Sequence, residues 1–221
     1  IESAWKHLVL EDQRLVLLFK PPFEKADPSP GYIQGYPPGV RENGGQYTHA
    51  ALWLAMAFAR SGDGDRAVRL LRMLNPIEHA RNAAEVWRYG VEPYAVAADV
   101  YRLAGREGLG GWTWYTGSAA WMYRAWIEEV LGVKIRGDRL MIDPVIPSSW
   151  DRFSLQLRHG QALYEIEVEN PDGLAQGVRK VELDGRELAE RAVPLESDLV
   201  KHRVRVLMGS GDPTERPPLG G

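Results

Sequence analysis

The chain has 221 residues, which is one large domain or two small ones with ample length for a core. A net charge of −3 gives no general electrostatic case for nucleic acid or an anionic membrane, and the absence of cysteine removes disulfides and thiolate metal sites. No apolar run approaches the ~18 residues of a membrane-spanning helix. The opening "IESAWKHLVL" has no initiator Met and none of the regions of a signal peptide, so a fragment of a longer protein is expected.

Residues 1–30 hold one apolar strand, "RLVLLF", followed by the irregular connector "KPPFEKADPSPG". Next comes "GYPPGVRENGGQYTHAALW", residues 35–53, where five Pro and Gly residues fall between Pro37 and Gly45. Prolines fix φ and glycines permit positive φ, so this is a shaped loop. From Gln46 to Leu131 the pattern is helical. "QYTHAALWLAMAFARSG" is apolar nearly all round and predicts a fully buried helix ending at Gly62. "GDGDRAVRLLRML" predicts an amphipathic helix, with Asp63 or Asp65 near its start and Asn75-Pro76 as its stop. "PIEHARNAAEV" is a short, weaker helix. "EPYAVAADVYRLAG" predicts a helix starting at Pro93 and ending before Gly105. "TGSAAWMYRAWIEEVLG" predicts the last helix, capped by Thr116 or Ser118 and closed at Gly132. A nearly all-apolar helix among amphipathic ones suggests inner and outer layers.

Strands take over from Val133. "VKIRGDRLMID" is a hairpin about Gly137-Asp138, and "RFSLQLRHGQALYEIEVENPDG" alternates on both sides of His159-Gly160. "VRKVELDGREL" and "HRVRVLMG" continue the pattern, with turns at Asp172-Gly173 and Asp184-Gly185. This half predicts an antiparallel β-sandwich, and residues 209–221 predict a disordered tail.

Three constellations carry chemistry. The first is the opening loop and its helix: Arg41, Glu42, Asn43, Gln46, Tyr47 and His49. His49 is either a histidine satisfied at a buried helix end or a ligand presented by the loop. The second is "GGWTWYTGSAAW", residues 110–121. Trp112, Trp114 and Tyr115 form an aromatic wall, and Thr116, Gly117 and Ser118 open a helix whose free amides and dipole suit an anion such as phosphate. An ordinary cap with core aromatics is the alternative. The third is Glu92, a carboxylate before Pro93 that a helix start would favour on its own. His7, His79, His159 and His202 have no metal-type spacing and read as structural or surface groups.

"GYIQGYPPGVRENGGQYTHAALW", "MLNPIEHA", "YGVEPYAVAADVY", "GGWTWYTGSAAWMYRAWIEEVLG" and "RGDRLMIDPVIPSSW" together resemble the C-terminal part of glycoside hydrolase family 94. That family comprises the cellobiose, chitobiose and β-1,2-oligoglucan phosphorylases and the phosphorylase domain of cyclic β-1,2-glucan synthases; "PPGVRENGG" and "IDPVIPSSW" resemble the last group most. The resemblance covers residues 1–208. It implies an α+β chain: the C-terminal part of an (α/α)6 barrel over residues 1–132, then the antiparallel β-sandwich over 133–208. It implies inverting phosphorolysis, with inorganic phosphate as co-substrate and no cofactor or metal. By this resemblance His49, Thr116 and Gly117 hold phosphate, and Arg41 and Glu42 contact sugar. Gln46 is added from its place beside them.

The family's general acid is an aspartate upstream of the matched region, so no catalytic acid is expected in this chain. The implied partners are a β-glucan oligosaccharide, phosphate and the upstream part of the same polypeptide, with no nucleic acid. A homodimer stays open. A cytoplasmic location is expected, including that of a cytoplasmic domain of an inner-membrane protein. Two other readings remain: a non-catalytic carbohydrate-binding fragment, and an inverting hydrolase with Glu42 as the water-activating carboxylate.

Overall fold

The computed structural model describes residues 1–114 and 116–210. Tyr115 and most of the expected tail, residues 211–221, lie outside the described residues. The chain is α+β and divides into two compact units, one of Ile1–Phe58 with Arg66–Trp126 and one of Ala59–Asp65 with the chain from Ile127 onward.

The first unit opens with helix α1 (Glu2–Leu8) and a short antiparallel pair, β1 (Val9–Leu10) and β2 (Leu15–Val16), in the register Val9↔Val16. The single strand read from "RLVLLF" is thus one arm of a hairpin. A 3-10 turn follows at Gly31–Gly35, and then the Pro/Gly loop. β3 (Gln46–Tyr47) leads directly into helix α2 (Thr48–Arg60). Ala51, Leu52, Ala55, Met56, Phe58 and Ala59 of α2 are buried, but Trp53 is 54% exposed, so burial of this helix is not complete as expected. The indole of Trp53 meets only the edge of Trp121, with centroids 6.0 Å apart, among the aromatic contacts described for it.

Helix α3 (Gly64–Leu74) is amphipathic as predicted: Ala67, Val68, Leu70, Leu71 and Leu74 are buried, and Arg69 and Arg72 are exposed. Asn75 ends it, its side chain accepting from the Ile77 amide at 3.0 Å as Pro76 begins a 3-10 turn, Pro76–His79. Helix α4 (Ala83–Tyr89) is capped by the Asn82 side chain, which accepts from the Glu85 amide at 3.0 Å, and closes at Gly90 in the left-handed conformation.

The helix predicted from Pro93 is not formed. After a turn closed by Ala95 N–H to the Glu92 carbonyl, the chain extends as β4 (Asp99–Val100), antiparallel to β3 with Gln46↔Val100 and Tyr47↔Asp99. Its main-chain groups are taken by partners distant in sequence: Thr48 N donates to Ala98 O at 2.9 Å, Ala98 N to Trp112 O at 2.7 Å and Arg102 N to Gly39 O at 2.8 Å. Four consecutive residues, Ala97 to Val100, are buried, a demand that a one-sided amphipathic helix does not meet. Ala97 and Val100 pack with Leu15, Leu17 and Tyr89 in a core cluster. Helix α5 (Gly117–Arg124) then runs into a π-turn, Ala125–Val130.

Among the described residues the second unit holds eight strands: β5 (Val133–Arg136), β6 (Arg139–Ile142), β7 (Arg152–His159), β8 (Ala162–Glu169), β9 (Val178–Leu183), β10 (Arg186–Glu187), β11 (Ala192–Pro194) and β12 (Lys201–Met208). Five form one sheet in the order β10-β9-β12-β8-β7, and three form another in the order β11-β6-β5. The predicted hairpins β5–β6, β7–β8 and β9–β10 are present. The wholly antiparallel arrangement is not: β12 inserts between β8 and β9 and runs parallel to β8, from Lys201↔Leu163 to Leu207↔Glu169. The strand therefore returns by a crossover that includes β9, β10 and β11 rather than by a hairpin. Alternation sets the buried face: Tyr164, Ile166 and Val168 from β8 and His202, Val204, Val206 and Met208 from β12. Tyr164 ties the two sheets, its hydroxyl donating to Pro194 O of β11 at 3.3 Å and accepting from Glu196 N at 2.7 Å.

Candidate active site

The Pro/Gly loop is rigid for reasons visible in its bonds. Gly39 N donates to Asn43 O at 2.8 Å, and Asn43 N to Val40 O at 3.0 Å. Asn43 is fully buried; its amide nitrogen donates to Phe23 O and Tyr36 O, both at 2.8 Å, and its oxygen accepts from Phe23 N at 2.7 Å. Gly39 has φ +88, and a Cβ there would stand 2.5 Å from Arg102 O, so only glycine fits. The loop turns at Arg41, whose φ of 49 is left-handed, a conformation that costs a non-glycine residue energy and that concentrates at functional sites.

This turn presents a cation and a carboxylate side by side. Arg41 Nε lies 3.6 Å from Glu42 Oε2, too far for a hydrogen bond, and both atoms are buried without a hydrogen-bond partner. The guanidinium sits 5.7 Å over the Tyr36 ring. Burial works against its charge, but Asp99, then Tyr36, Glu42 and Tyr47, outweigh burial and raise its pKa above the ordinary value.

His49 lies in the first turn of α2 and stacks on Tyr47, with centroids 5.8 Å apart and planes 25° apart. Its Nδ1 is buried without a partner. A Cβ added to Gly117 would lie 2.9 Å from His49 Nε2, so the imidazole rests against the start of α5 and glycine is what admits it. Thr116 is the N-cap residue of α5, but its side chain makes no capping bond; its hydroxyl donates to Val96 O at 2.8 Å. The Thr116 side chain thus takes none of the first-turn amides of α5, while Ala119 N donates to the Thr116 carbonyl at 3.1 Å. Ser118 is fully buried in that turn, and its hydroxyl has no partner.

Of the residues singled out in the sequence, the fold brings His49 to Gly117, and Arg41 to Glu42. Tyr47 links the two groups, because it stacks on His49 and acts electrostatically on Arg41. Gln46 is placed differently: it is 1% exposed, and its oxygen accepts from Val16 N of β2 at 3.0 Å. Glu92 is exposed and precedes a turn rather than a helix; a hydrogen bond with Thr113 lowers its pKa. His79 is buried, its Nε2 bonded to Met73 O at 2.6 Å and its ring stacked on Tyr89, and burial lowers its pKa.

Sequence reasoning missed Asp99. It is fully buried, and its Oδ1 accepts from Trp112 N at 3.2 Å while Oδ2 has no partner. Burial raises its pKa, against the Trp112 amide and Arg41, and Glu42 adds to the rise. A lone Asp inside the apolar run "VAADVY" was the available signal, since buried carboxylates are rare without a purpose.

Residues 1–132 match the catalytic-domain model of the glycosyl hydrolase 94 superfamily, and residues 133–186 match the C-terminal domain of glycosyl hydrolase family 65. The chain is 50% identical over 168 residues to the cyclic beta-(1,2)-glucan synthase NdvB of Rhizobium meliloti (strain 1021), an alignment that covers 76% of this chain and 6% of that protein. It is 32% identical over 195 residues to the N,N'-diacetylchitobiose phosphorylase of Vibrio furnissii, covering 86% of this chain and 23% of the relative. It is 30% identical over 193 residues to the solabiose phosphorylase of Paenibacillus borealis, covering 87% and 25%. The chain thus spans a quarter or less of the length of each of these relatives, and by the match over residues 1–132 it belongs to the glycosyl hydrolase 94 superfamily.

Proposed function

We propose that this chain is the C-terminal part of a glycoside phosphorylase that cleaves β-glucan by inverting phosphorolysis, within a polypeptide of the cyclic β-1,2-glucan synthase type. In this reading residues 1–132 complete an (α/α)6 barrel and residues 133–208 form a β-sandwich. The observation that carries the reading is the nearness of His49 Nε2 to Gly117, where an added Cβ would stand 2.9 Å from it, at a helix start whose N-cap side chain makes no capping bond. A helix start without a side-chain cap, beside an imidazole, suits an oxyanion, and a hydrolase has no evident use for one.

The residues then divide the work. Phosphate sits beside the adjoining His49 imidazole and Gly117 amide and accepts from both, with Thr116 setting the start of the helix. Arg41 and Glu42 face the sugar, while Gln46 supports them from β3. A phosphate oxygen attacks the anomeric carbon, the glycosidic bond breaks, and the leaving oxygen takes a proton from a general acid supplied by the upstream part of the polypeptide. The products are α-glucose 1-phosphate and the shortened glucan. Phosphate is a co-substrate, and the scheme uses no cofactor. We place the reaction in the cytoplasm, as the family resemblance implies.

One observation favours a second reading. Glu42 Oε2 has no hydrogen-bond partner, and an inverting hydrolase would use this carboxylate to activate water. The experiment that separates the two is product analysis with β-1,2-glucan, with and without phosphate, using the complete polypeptide. Phosphorolysis gives glucose 1-phosphate only when phosphate is present. Hydrolysis gives free sugar without it.

A further inference from the structure

We propose that Tyr32 is the outer wall of a further sugar subsite, which takes a glucose unit of the β-glucan beyond the unit held by Arg41 and Glu42. The subsite builds on the reading of Arg41 and Glu42 as sugar contacts.

The side chains from Glu42 to Tyr32 form a continuous series. Arg41 Nε stands 3.6 Å from Glu42 Oε2. The Arg41 guanidinium lies 5.7 Å over the Tyr36 ring, within reach of a cation–π contact. The Tyr36 ring meets the Tyr32 ring with centroids 6.4 Å apart and planes at 85°, so the two rings make a corner. The series runs from a partly buried charge pair to open surface, where Tyr32 is 70% exposed.

A single exposed tyrosine on a mobile loop would need no explanation. Tyr32 instead stands on a braced turn. It lies in the 3-10 turn Gly31–Gly35, which Tyr36 N closes by donating to Ile33 O at 3.2 Å. The Gln34 side chain ties the turn to Glu24 O at 3.0 Å. The fully buried Asn43 donates to Tyr36 O at 2.8 Å, and Asn43 is the residue after Glu42. One buried amide thus fixes the tyrosine corner relative to the sugar loop.

The corner suits a pyranose. A glucose ring carries C–H groups on its faces and hydroxyls around its rim. Tyrosine offers a flat apolar ring with a hydroxyl at its tip, a large contact at a low entropy cost. The Arg41–Glu42 pair selects one sugar through its hydroxyls, and the ring wall receives the next through its apolar face. Such a wall adds affinity for a glucan chain and little for a disaccharide.

The test is calorimetric binding to the complete polypeptide in phosphate-free buffer, with a β-1,2-linked glucose disaccharide and a β-1,2-linked hexasaccharide as the probes. Tyr32→Ala should weaken the hexasaccharide about 2- to 12-fold, the effect of one aromatic packing contact, and the disaccharide less. The preference for the longer chain should therefore fall. Tyr32→Phe keeps the ring and should keep that preference. The melting temperature of Tyr32→Ala should stay at the wild-type value, because the ring is exposed. Equal losses on the two probes, or a hexasaccharide bound by Tyr32→Ala as by the wild type, would overturn the proposal. Glu42→Gln should weaken both probes; if it weakens neither, the sugar reading of the loop fails and the subsite with it. Failure to release glucose 1-phosphate would refute the proposed phosphorolysis and leave this comparison intact, because binding requires no turnover.

Discussion

His49 Nε2 lies 2.9 Å from the position that a Cβ would take on Gly117, and this pair joins the first turn of α2 to the first turn of α5. An imidazole beside a helix start that lacks a side-chain cap suits an oxyanion. The pair therefore gives the sharpest predictions.

In the complete polypeptide, His49→Ala should raise the KM for phosphate by about 10- to 150-fold, the value of 1.5–3 kcal/mol for a hydrogen bond to a charged ligand. Gly117→Ala should act in the same direction by pushing the imidazole away, with the fold retained. Steady-state kinetics at varied phosphate and fixed glucan checks both. An unchanged phosphate dependence in the two variants would remove His49 and Gly117 from the site.

Thr116 is expected to behave differently. Its hydroxyl donates to Val96 O, so Thr116→Val leaves a part-buried carbonyl unpaired and should cost about 1–3 kcal/mol of stability. Thr116→Ser should restore most of it. Thermal melting of the three proteins reads this, and the KM for phosphate should move less in Thr116→Val than in His49→Ala.

Gln46 tests the boundary between site and scaffold. Because its oxygen accepts from Val16 N inside the core, Gln46→Leu should lower stability by about 1–3 kcal/mol through an orphaned amide. Oligosaccharide affinity, measured well below the melting temperature, should change less than in Glu42→Gln. A large affinity loss with unchanged stability would make Gln46 a direct sugar contact.

The local texture of the chain was readable where period and punctuation agreed. α3 declared itself by its apolar stripe and its Asn75-Pro76 stop, and the β5–β6, β7–β8 and β9–β10 hairpins by alternation around Gly-containing turns. The segment after Pro93 was misread because Ala, Val and Tyr spaced as a helix are also what a segment buried on all sides contains. What decided it was hydrogen bonding to Gly39, Thr48 and Trp112, partners no local pattern reveals. That misreading hid Asp99, because a carboxylate on an amphipathic helix would have been assigned to solvent. The parallel pairing of β12 with β8 was equally illegible, since register and direction belong to the sheet and not to the strand.

His202 offers a pH test within the second unit. Its Nδ1 is 2.8 Å from Asp184 Oδ2, its Nε2 is 3.3 Å from Asp198 Oδ1, and its ring stacks on Tyr164 with centroids 4.8 Å apart. The hydrogen bond to Asp184 raises its pKa above 6.5. A raised folded-state value means that its stabilising contribution is complete below 6.5 and is lost as pH rises through that raised value. The wild type should therefore lose stability from mildly acidic to alkaline pH relative to His202→Gln. Parallel melting curves for the two proteins across that range would contradict the double carboxylate pairing.

The central claim is that phosphate is the nucleophile and that Glu42 holds sugar. The most direct measurement is the product that the complete polypeptide forms from β-1,2-glucan in buffers with and without phosphate, for the wild type and for Glu42→Gln. The account predicts glucose 1-phosphate from both proteins only when phosphate is present, with the Glu42→Gln loss falling mainly on glucan KM. Free glucose released equally well in phosphate-free buffer, together with a fall in kcat of about 10²–10⁴-fold in Glu42→Gln as for a lost general base, would contradict it.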